Sequence, residues 1–274
     1  MEFRIEIVGD RVACKQDGGE AFAVALKDFI DAVEDHGDCV ALSEAIPDGV
    51  SFIRRRGDVV VLAVEEKPTL RTVRWLADES PVPYGKGAIY RQATLAFPFV
   101  VIVAALRCGA LTGYQQCFFR TSSLRYLSDP LFCPNLYNVA EAYGMKCWLC
   151  LVGLKKNLAA LHWQEKINEI RAHLWGSSFN RSSEVNEGNS YWQTMRKIDP
   201  RVATLQTWEE ESRRDRAFPL KIRWQPAGKS VGQVMDEMLA VLAPARPLCS
   251  VAELVQLLNL CASRRRSWLA PFKK

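Results

Sequence analysis

The feature that most constrains the fold is the apolar run ATLAFPFVVIVAALRCGAL at residues 93–111. Pro98 and Arg107 interrupt this run, so its continuous apolar part is shorter than the ~18–20 residues that a membrane-spanning helix needs. The stretch between them is apolar on both faces of an extended chain. A strand of this kind must be covered on both sides, so we expect it at the centre of a β-sheet.

The residues around this run predict further strands. VSFIRRR and DVVVLAVEE are separated by Gly57-Asp58, which is a hairpin signal. TLRTVRWLAD follows them, and the loop SPVPYGKG then breaks the pattern. Three more stretches of strand composition come next: AIYRQATLAF, PFVVIVAALR and TGYQQCFFRT. We expect these strands to form an antiparallel meander of consecutive neighbours.

The two ends of the chain have different patterns. FRIEIVGDRVACK alternates around Gly9-Asp10 and predicts a hairpin, and EAFAVALKDFIDAVEDHG has helical spacing from Phe22 to Val33. NLAALHWQEKINEIRAHLWG predicts a helix that is capped by Asn157 and ends at Gly176. Two final helices are predicted by SVGQVMDEMLAVLA and SVAELVQLLNLCASRRR.

These patterns predict an α+β fold in three parts. Residues 1–48 form a strand-helix unit, residues 49–180 form the sheet domain, and residues 181–274 form a mostly helical extension. The hydrophobic fraction of 49% and charged fraction of 24% are typical of a globular protein with a sizeable core. The formal charge of +5 is too mild to indicate nucleic-acid binding, which needs a concentrated basic face.

The first residues and the cysteines indicate the compartment. The start MEFRIEIVGDRVACKQ has no apolar segment of the kind that a secretory signal contains, and no membrane span is predicted. Nine cysteines, an odd number, argue against a disulfide framework. We therefore expect a cytoplasmic protein with reduced thiols.

The stretch LFCPNLYNVAEAYGMKCWLCLVG at residues 131–153 carries the chemistry that the sequence offers. Its cysteines would be buried packing residues, or zinc ligands if Cys147 and Cys150 were joined by Cys133 or His162. They would otherwise be a redox Cys-x-x-Cys pair, or supply a nucleophile with Asn135 as oxyanion donor. Packing is the prediction for the remaining cysteines: Cys14, Cys39, Cys108, Cys117, Cys249 and Cys261.

The residues between Cys147 and Cys150 weaken two of these interpretations. Trp148 and Leu149 are typical of a buried extended chain rather than of a zinc-binding turn. A thioredoxin-like pair needs a βαβ unit with the cysteines at a helix N-terminus, whereas the preceding pattern is an antiparallel meander.

The order of these features resembles the ubiquitin-conjugating (UBC) fold. A meander is followed by Pro134-Asn135, by a loop with Gly144, by the aliphatic-Cys-Leu sequence at 149–151 and then by helices. More narrowly, the chain is similar to bacterial ubiquitin-conjugating-like proteins such as protein B of the PRTRC plasmid systems and prokaryotic UBC family D. The resemblance covers roughly residues 50–180.

The resemblance implies a cysteine-thioester transferase that carries a ubiquitin-like protein. Asn135 matches the oxyanion-stabilising asparagine, and the thioester would form on Cys150, from its aliphatic-Cys-Leu context, or on Cys147, from its Gly-x-x-Cys spacing. Cys150 is favoured. Two departures from the family pattern are Cys133, where the family has histidine, and a longer loop between Asn135 and either cysteine.

The partners that the resemblance implies are an adenylating activating enzyme, a ubiquitin-like modifier and a JAB-type peptidase of the same system, in mobile elements or antiphage defence. The chemistry needs no metal or other cofactor. Two alternatives stay open: a non-catalytic UBC-like scaffold that binds the activating enzyme or the modifier, and a zinc-stabilised binding module.

Overall fold

A computed structural model describes residues 3–8, 11–16, 22–25, 46–151, 154 and 157–243. The chain divides into two compact units. One comprises residues 1–41 and 243–274, and the other comprises residues 42–242. The fold is α+β, and its strands pair antiparallel except where β13, defined below, joins its neighbour.

The first unit contains an antiparallel sheet of β1 (Phe3–Val8), β2 (Arg11–Gln16) and β3 (Phe22–Ala25) in that order. The register of β1 and β2 confirms the predicted hairpin. The predicted helix is wrong at residues 22–25, because Phe-Ala-Val-Ala is short enough to fit a period of two as well as a helical period and pairs with β2. The rest of that helix, and the predicted helix at 250–266, lie outside the described residues.

The second unit holds the remaining described elements. Its strands are β4 (Val50–Arg56), β5 (Val59–Glu66), β6 (Thr69–Leu76), β7 (Tyr90–Phe97), β8 (Phe99–Arg107), β9 (Ala110–Arg120), β10 (Pro130–Phe132), β11 (Val139–Ala142), β12 (Met145–Leu149), β13 (Ser178–Phe179) and β14 (Pro226–Ser230). Its α-helices are α1 (Trp163–Gly176), α2 (Ser182–Asn186), α3 (Tyr191–Met195), α4 (Leu205–Arg214) and α5 (Val231–Leu242). Short 3-10 turns lie at Leu158–Ala160, Pro200–Val202 and Phe218–Lys221.

The main sheet has the strand order β11-β12-β9-β8-β5-β4, and β10 pairs with both β9 and β14. Residues 100–106 of β8 are buried, which confirms that the stretch between Pro98 and Arg107 is a central strand covered on both faces. Helix α5 packs against β4, β5 and β8. Within the described residues, no helix combines the length and the apolar composition needed to cross a membrane.

Strands β5 to β8 form one long hairpin with a break in its middle. The pairing runs from Val59 with Arg107 to Glu66 with Val100, and it resumes in the same register from Thr69 with Phe97. This register places Pro68 opposite Pro98. Proline has no backbone N–H to donate, so the ladder stops at this point. We call the outer half, β6, β7 and the loop between them, the arm.

The arm corrects the predicted meander. Strand β7 was expected beside β8, but it pairs with β6 in a separate sheet of order β13-β6-β7. The sequential neighbours in the main sheet are therefore β4, β5, β8 and β9. The two strands of one broken hairpin look like four independent strands in the sequence, because a proline interrupts each of them.

Ion pairs fix the break against α1. Glu66, the last residue of β5, bonds to Arg71 of β6 and to Arg171 of α1. The Arg71 guanidinium also lies 4.2 Å from the ring centroid of Trp175 in α1. One carboxylate thus connects both sides of the break to the same helix.

Helix α4 covers the outer edge of β7 with side-chain hydrogen bonds. The Ala96 N–H donates to Ser212 Oγ (2.7 Å), and the Trp208 indole N–H donates to the Ala96 carbonyl (2.9 Å). Ser212 Oγ in turn donates to the Trp208 carbonyl (2.6 Å). Two side chains one helical turn apart therefore satisfy the backbone groups that an edge strand would leave exposed.

The C-terminal part of the chain belongs to this second unit as far as Leu242. Strand β14 pairs with β10, α4 packs on β7 and α5 packs on β5. Helix α5 is the predicted helix at residues 230–243. The predicted helix before residue 176 ends at Gly176 but begins at Trp163, because Asn157 caps the separate turn Leu158–Ala160 instead.

We predict that Ser212→Ala lowers the free energy of unfolding by about 1–3 kcal/mol, because it leaves the buried Ala96 N–H without an acceptor. Urea unfolding followed by tryptophan fluorescence measures this loss in the second unit, which contains every tryptophan except Trp268. The control is Gln206→Ala on the exposed face of the same helix, for which we expect a change of less than about 0.5 kcal/mol. Equal losses in the two variants would contradict this role for Ser212.

Candidate functional site

The predicted site stretch lies along one edge of β9. Strand β10 pairs with it at Phe119, and β12 pairs with it at Gln116, while β8 occupies its opposite edge. Strands β10 and β12 therefore follow one another along the same edge. This arrangement brings Cys133, which follows β10, next to Cys147 of β12.

Cys133, Cys147 and Tyr191 form a hydrogen-bonded cluster beneath this edge. The Cys147 N–H donates to the Tyr191 hydroxyl (3.3 Å), and Cys147 has a left-handed backbone with φ of 57°. Cys147 is fully buried. Burial, and then the bond to Cys133, raises the pKa of the Cys147 thiol well above its usual range. The thiolate is the reactive form of cysteine, so Cys147 has the properties of a core residue.

Cys150 lies in a different environment. It follows β12 directly and is partly exposed. Its backbone N–H donates to the Asn138 carbonyl (2.9 Å), which fixes the chain at this position. Of the two cysteines that the resemblance nominates, Cys150 is the one that a partner protein would reach without opening the fold.

Asn135 is oriented towards the interior. It has no exposed surface, and its Nδ2 donates to the carbonyl of Val202 in the turn Pro200–Val202 (3.0 Å). Its Oδ1 is buried and accepts no hydrogen bond from any residue that the structure describes. The carboxamide therefore ties the loop after β10 to a turn that lies far ahead in the sequence.

The described residues do not assemble the zinc site that the sequence suggested. In the ranges described by the structure, no group of three or more His, Cys, Asp or Glu side chains is placed to hold a metal ion. The thiols of Cys133 and Cys147 hydrogen-bond to each other, and His162 is the N-cap residue of α1. In this part of the chain the four potential ligands therefore do not converge on one metal position.

The packing prediction is right for one of the other described cysteines and wrong for another. Cys117 is fully buried, and burial raises the pKa of its thiol. Cys108 is exposed, because it lies in the two-residue turn between β8 and β9, where Cys108 and Gly109 both have positive φ. A glycine at the second position of a two-residue loop between strands is typical of such a turn. The side chains of Cys14, Cys39, Cys249 and Cys261 lie outside the described part.

Two further features were not predicted from the sequence. Tyr191, which no sequence pattern singled out, completes the cysteine cluster. A cleft of about 350 Å³ also lies at the tip of the arm, between the loop 77–83 and residues of α2 and α3. Neither depends on a short motif, so only the tertiary structure brings their residues together.

Comparisons with protein-family models, with characterised proteins and with solved structures find no match to this chain.

We predict that iodoacetamide modifies Cys108 and Cys150 in the folded chain while Cys117, Cys133 and Cys147 are protected, because the reagent needs access to a thiolate. Peptide mass mapping after a timed reaction measures each site. The same reaction in concentrated urea is the control and should modify all five. Modification of Cys147 at the rate of Cys150 in the folded chain would contradict its placement in the core.

Proposed function

We propose that this chain is a non-catalytic UBC-like scaffold that binds an adenylating activating enzyme or a ubiquitin-like modifier. The order of elements supports the comparison with the UBC fold: β4, β5, β8 and β9 are successive antiparallel neighbours, and Pro134-Asn135 and then helices follow them. The burial of Asn135 is the observation that favours binding over catalysis.

An oxyanion donor must lie about 2.7–3.1 Å from the oxygen that becomes negative in the transition state. In a transferase this oxygen belongs to the modifier, a separate protein that approaches from outside. The Asn135 amide is enclosed and donates to Val202 instead. Catalysis through Asn135 would require this bond to break and the loop after β10 to turn outwards.

Cys147 supports the same proposal. Its thiol is buried and its pKa is raised, so it stays neutral at physiological pH and out of reach of a partner. The surfaces that the second unit presents around this edge would then serve for recognition. We place this scaffold in the cytoplasm, in a pathway that also contains a JAB-type peptidase.

A second candidate function is thioester transfer through Cys150, and the partial exposure of this residue favours it. The Cys150 thiolate would attack the carbonyl of the modifier's thioester on the activating enzyme. A new carbon–sulfur bond would form, and the thiol of the activating enzyme would leave. The oxyanion donor in this reaction would be a group other than Asn135.

The experiment combines the chain with ATP, an adenylating activating enzyme and a ubiquitin-like modifier from the same organism. We expect a stable complex by size-exclusion chromatography and no thiol-sensitive adduct by intact mass spectrometry. The activating enzyme must itself become charged, which the same spectra show.

Matched variants separate the two functions. Under the scaffold proposal Cys150→Ser and Cys147→Ser leave the complex unchanged. An adduct that disappears in Cys150→Ser but persists in Cys147→Ser would overturn the scaffold proposal and establish the second candidate. The absence of both complex and adduct would overturn both.

A further inference from the structure

The cleft at the tip of the arm is built from rigid parts. The Arg181 N–H donates to the Pro83 carbonyl (3.2 Å) and ties the loop 77–83 to the start of α2. The Ser80 hydroxyl donates to the Val82 carbonyl (2.8 Å) and holds the same loop internally. Two prolines, at 81 and 83, further limit the conformations of the loop. The cleft therefore exists in the folded chain before any ligand arrives.

The lining carries two cations and two anions. Arg181 and Glu184 neutralise each other through a bond of 2.5 Å, and Ser190 Oγ donates to Glu184 as well (2.8 Å). Asp78 and Arg196 also line the cleft and are exposed. Within the part of the chain that the structure describes, neither of these two side chains has a hydrogen bond or an ion pair. One negative and one positive group thus remain available to a ligand.

The floor of the cleft is aromatic. Tyr137 and Trp192 are largely buried, with ring centroids 5.4 Å apart. Burial, and then the charge of Glu184, raises the pKa of Tyr137 to about 12, so its hydroxyl remains a neutral hydrogen-bond donor. Asp78, Arg196 and Tyr137 line the same cleft.

We propose that this cleft binds a small zwitterion that carries an ammonium group and a carboxylate, namely an α-amino acid or a short peptide. The carboxylate would accept hydrogen bonds from Arg196, which suits its planar geometry, and from Tyr137. The ammonium would donate to Asp78, and the carbon skeleton would lie on Trp192. The cleft of about 350 Å³ is at the small end of the usual range for ligand pockets.

The charge balance distinguishes this class of ligand from others. A nucleotide or another polyanion would meet Asp78 and Glu184 as well as the arginines, and a polyamine would meet both arginines. A ligand with one charge of each sign matches both available groups. The inference does not depend on the scaffold function, because the purified chain alone would bind the ligand.

The test is isothermal titration calorimetry of the full chain with each of the twenty common amino acids and with matched dipeptides at millimolar concentrations. We expect at least one to bind. Tighter binding by a dipeptide than by its constituent amino acids would identify a peptide as the ligand, and the reverse would identify a free amino acid. If none of these compounds binds, the proposal is wrong.

Ligands with one charge blocked, together with variants of the cleft, then show which charged group of the ligand binds Asp78 and which binds Arg196. N-acetylation or amidation of the best ligand should each weaken binding by about ten-fold or more, because each removes a charged hydrogen bond. Asp78→Asn should weaken the binding of the unmodified ligand but not of its N-acetyl form. Arg196→Gln should weaken the binding of the unmodified ligand but not of its amide. The matched controls are Glu79→Gln and Lys197→Gln, which change exposed neighbours and should leave binding unchanged. Equal effects of test and control variants would overturn the assignment.

Discussion

The break between Pro68 and Pro98 is the constraint on which most of the second unit depends. Without it, β5 and β8 would continue as one flat hairpin through β6 and β7. The unchanged register on both sides shows that the hairpin is interrupted rather than shifted. The inner half lies at the centre of the main sheet. The outer half pairs with β13, is covered by α4 and carries the loop 77–83 at its end. At the break itself, ion pairs join Glu66 to Arg71 of β6 and to Arg171 of α1.

The arm has consequences for chemistry as well as for packing. Its tip loop becomes one wall of the cleft, and its Trp75 lies within 5.3 Å, centroid to centroid, of Tyr137, Phe179 and Trp192. Tyr137 follows the Pro134-Asn135 turn, so the same loop supplies the buried Asn135 and the aromatic floor of the cleft. The loop after β10 and the arm-tip cleft are therefore parts of one structure.

Sequence patterns predicted the features that depend on local order. The apolar β8, the turn at Gly57-Asp58, the end of α1 at Gly176 and helix α5 all follow from composition and spacing within a few residues. The pairing of β7 and the bond from Asn135 to Val202 do not follow from such patterns. Each depends on contacts between distant segments, and short apolar or polar runs are compatible with several such arrangements.

The environment of Asn135 gives this residue a structural role that needs no catalysis. Its Nδ2 satisfies the Val202 carbonyl, which would otherwise lack this donor in a buried turn. An exposed, catalytic Asn135 would leave that carbonyl unpaired, at a cost of about 1–3 kcal/mol. Among the described residues, no group donates a hydrogen bond to the buried Oδ1 atom, so the Nδ2 bond is the side-chain contact that fixes the amide. Asn135 thus joins the loop after β10 to the turn Pro200–Val202. This structural role is independent of any activity of Cys150.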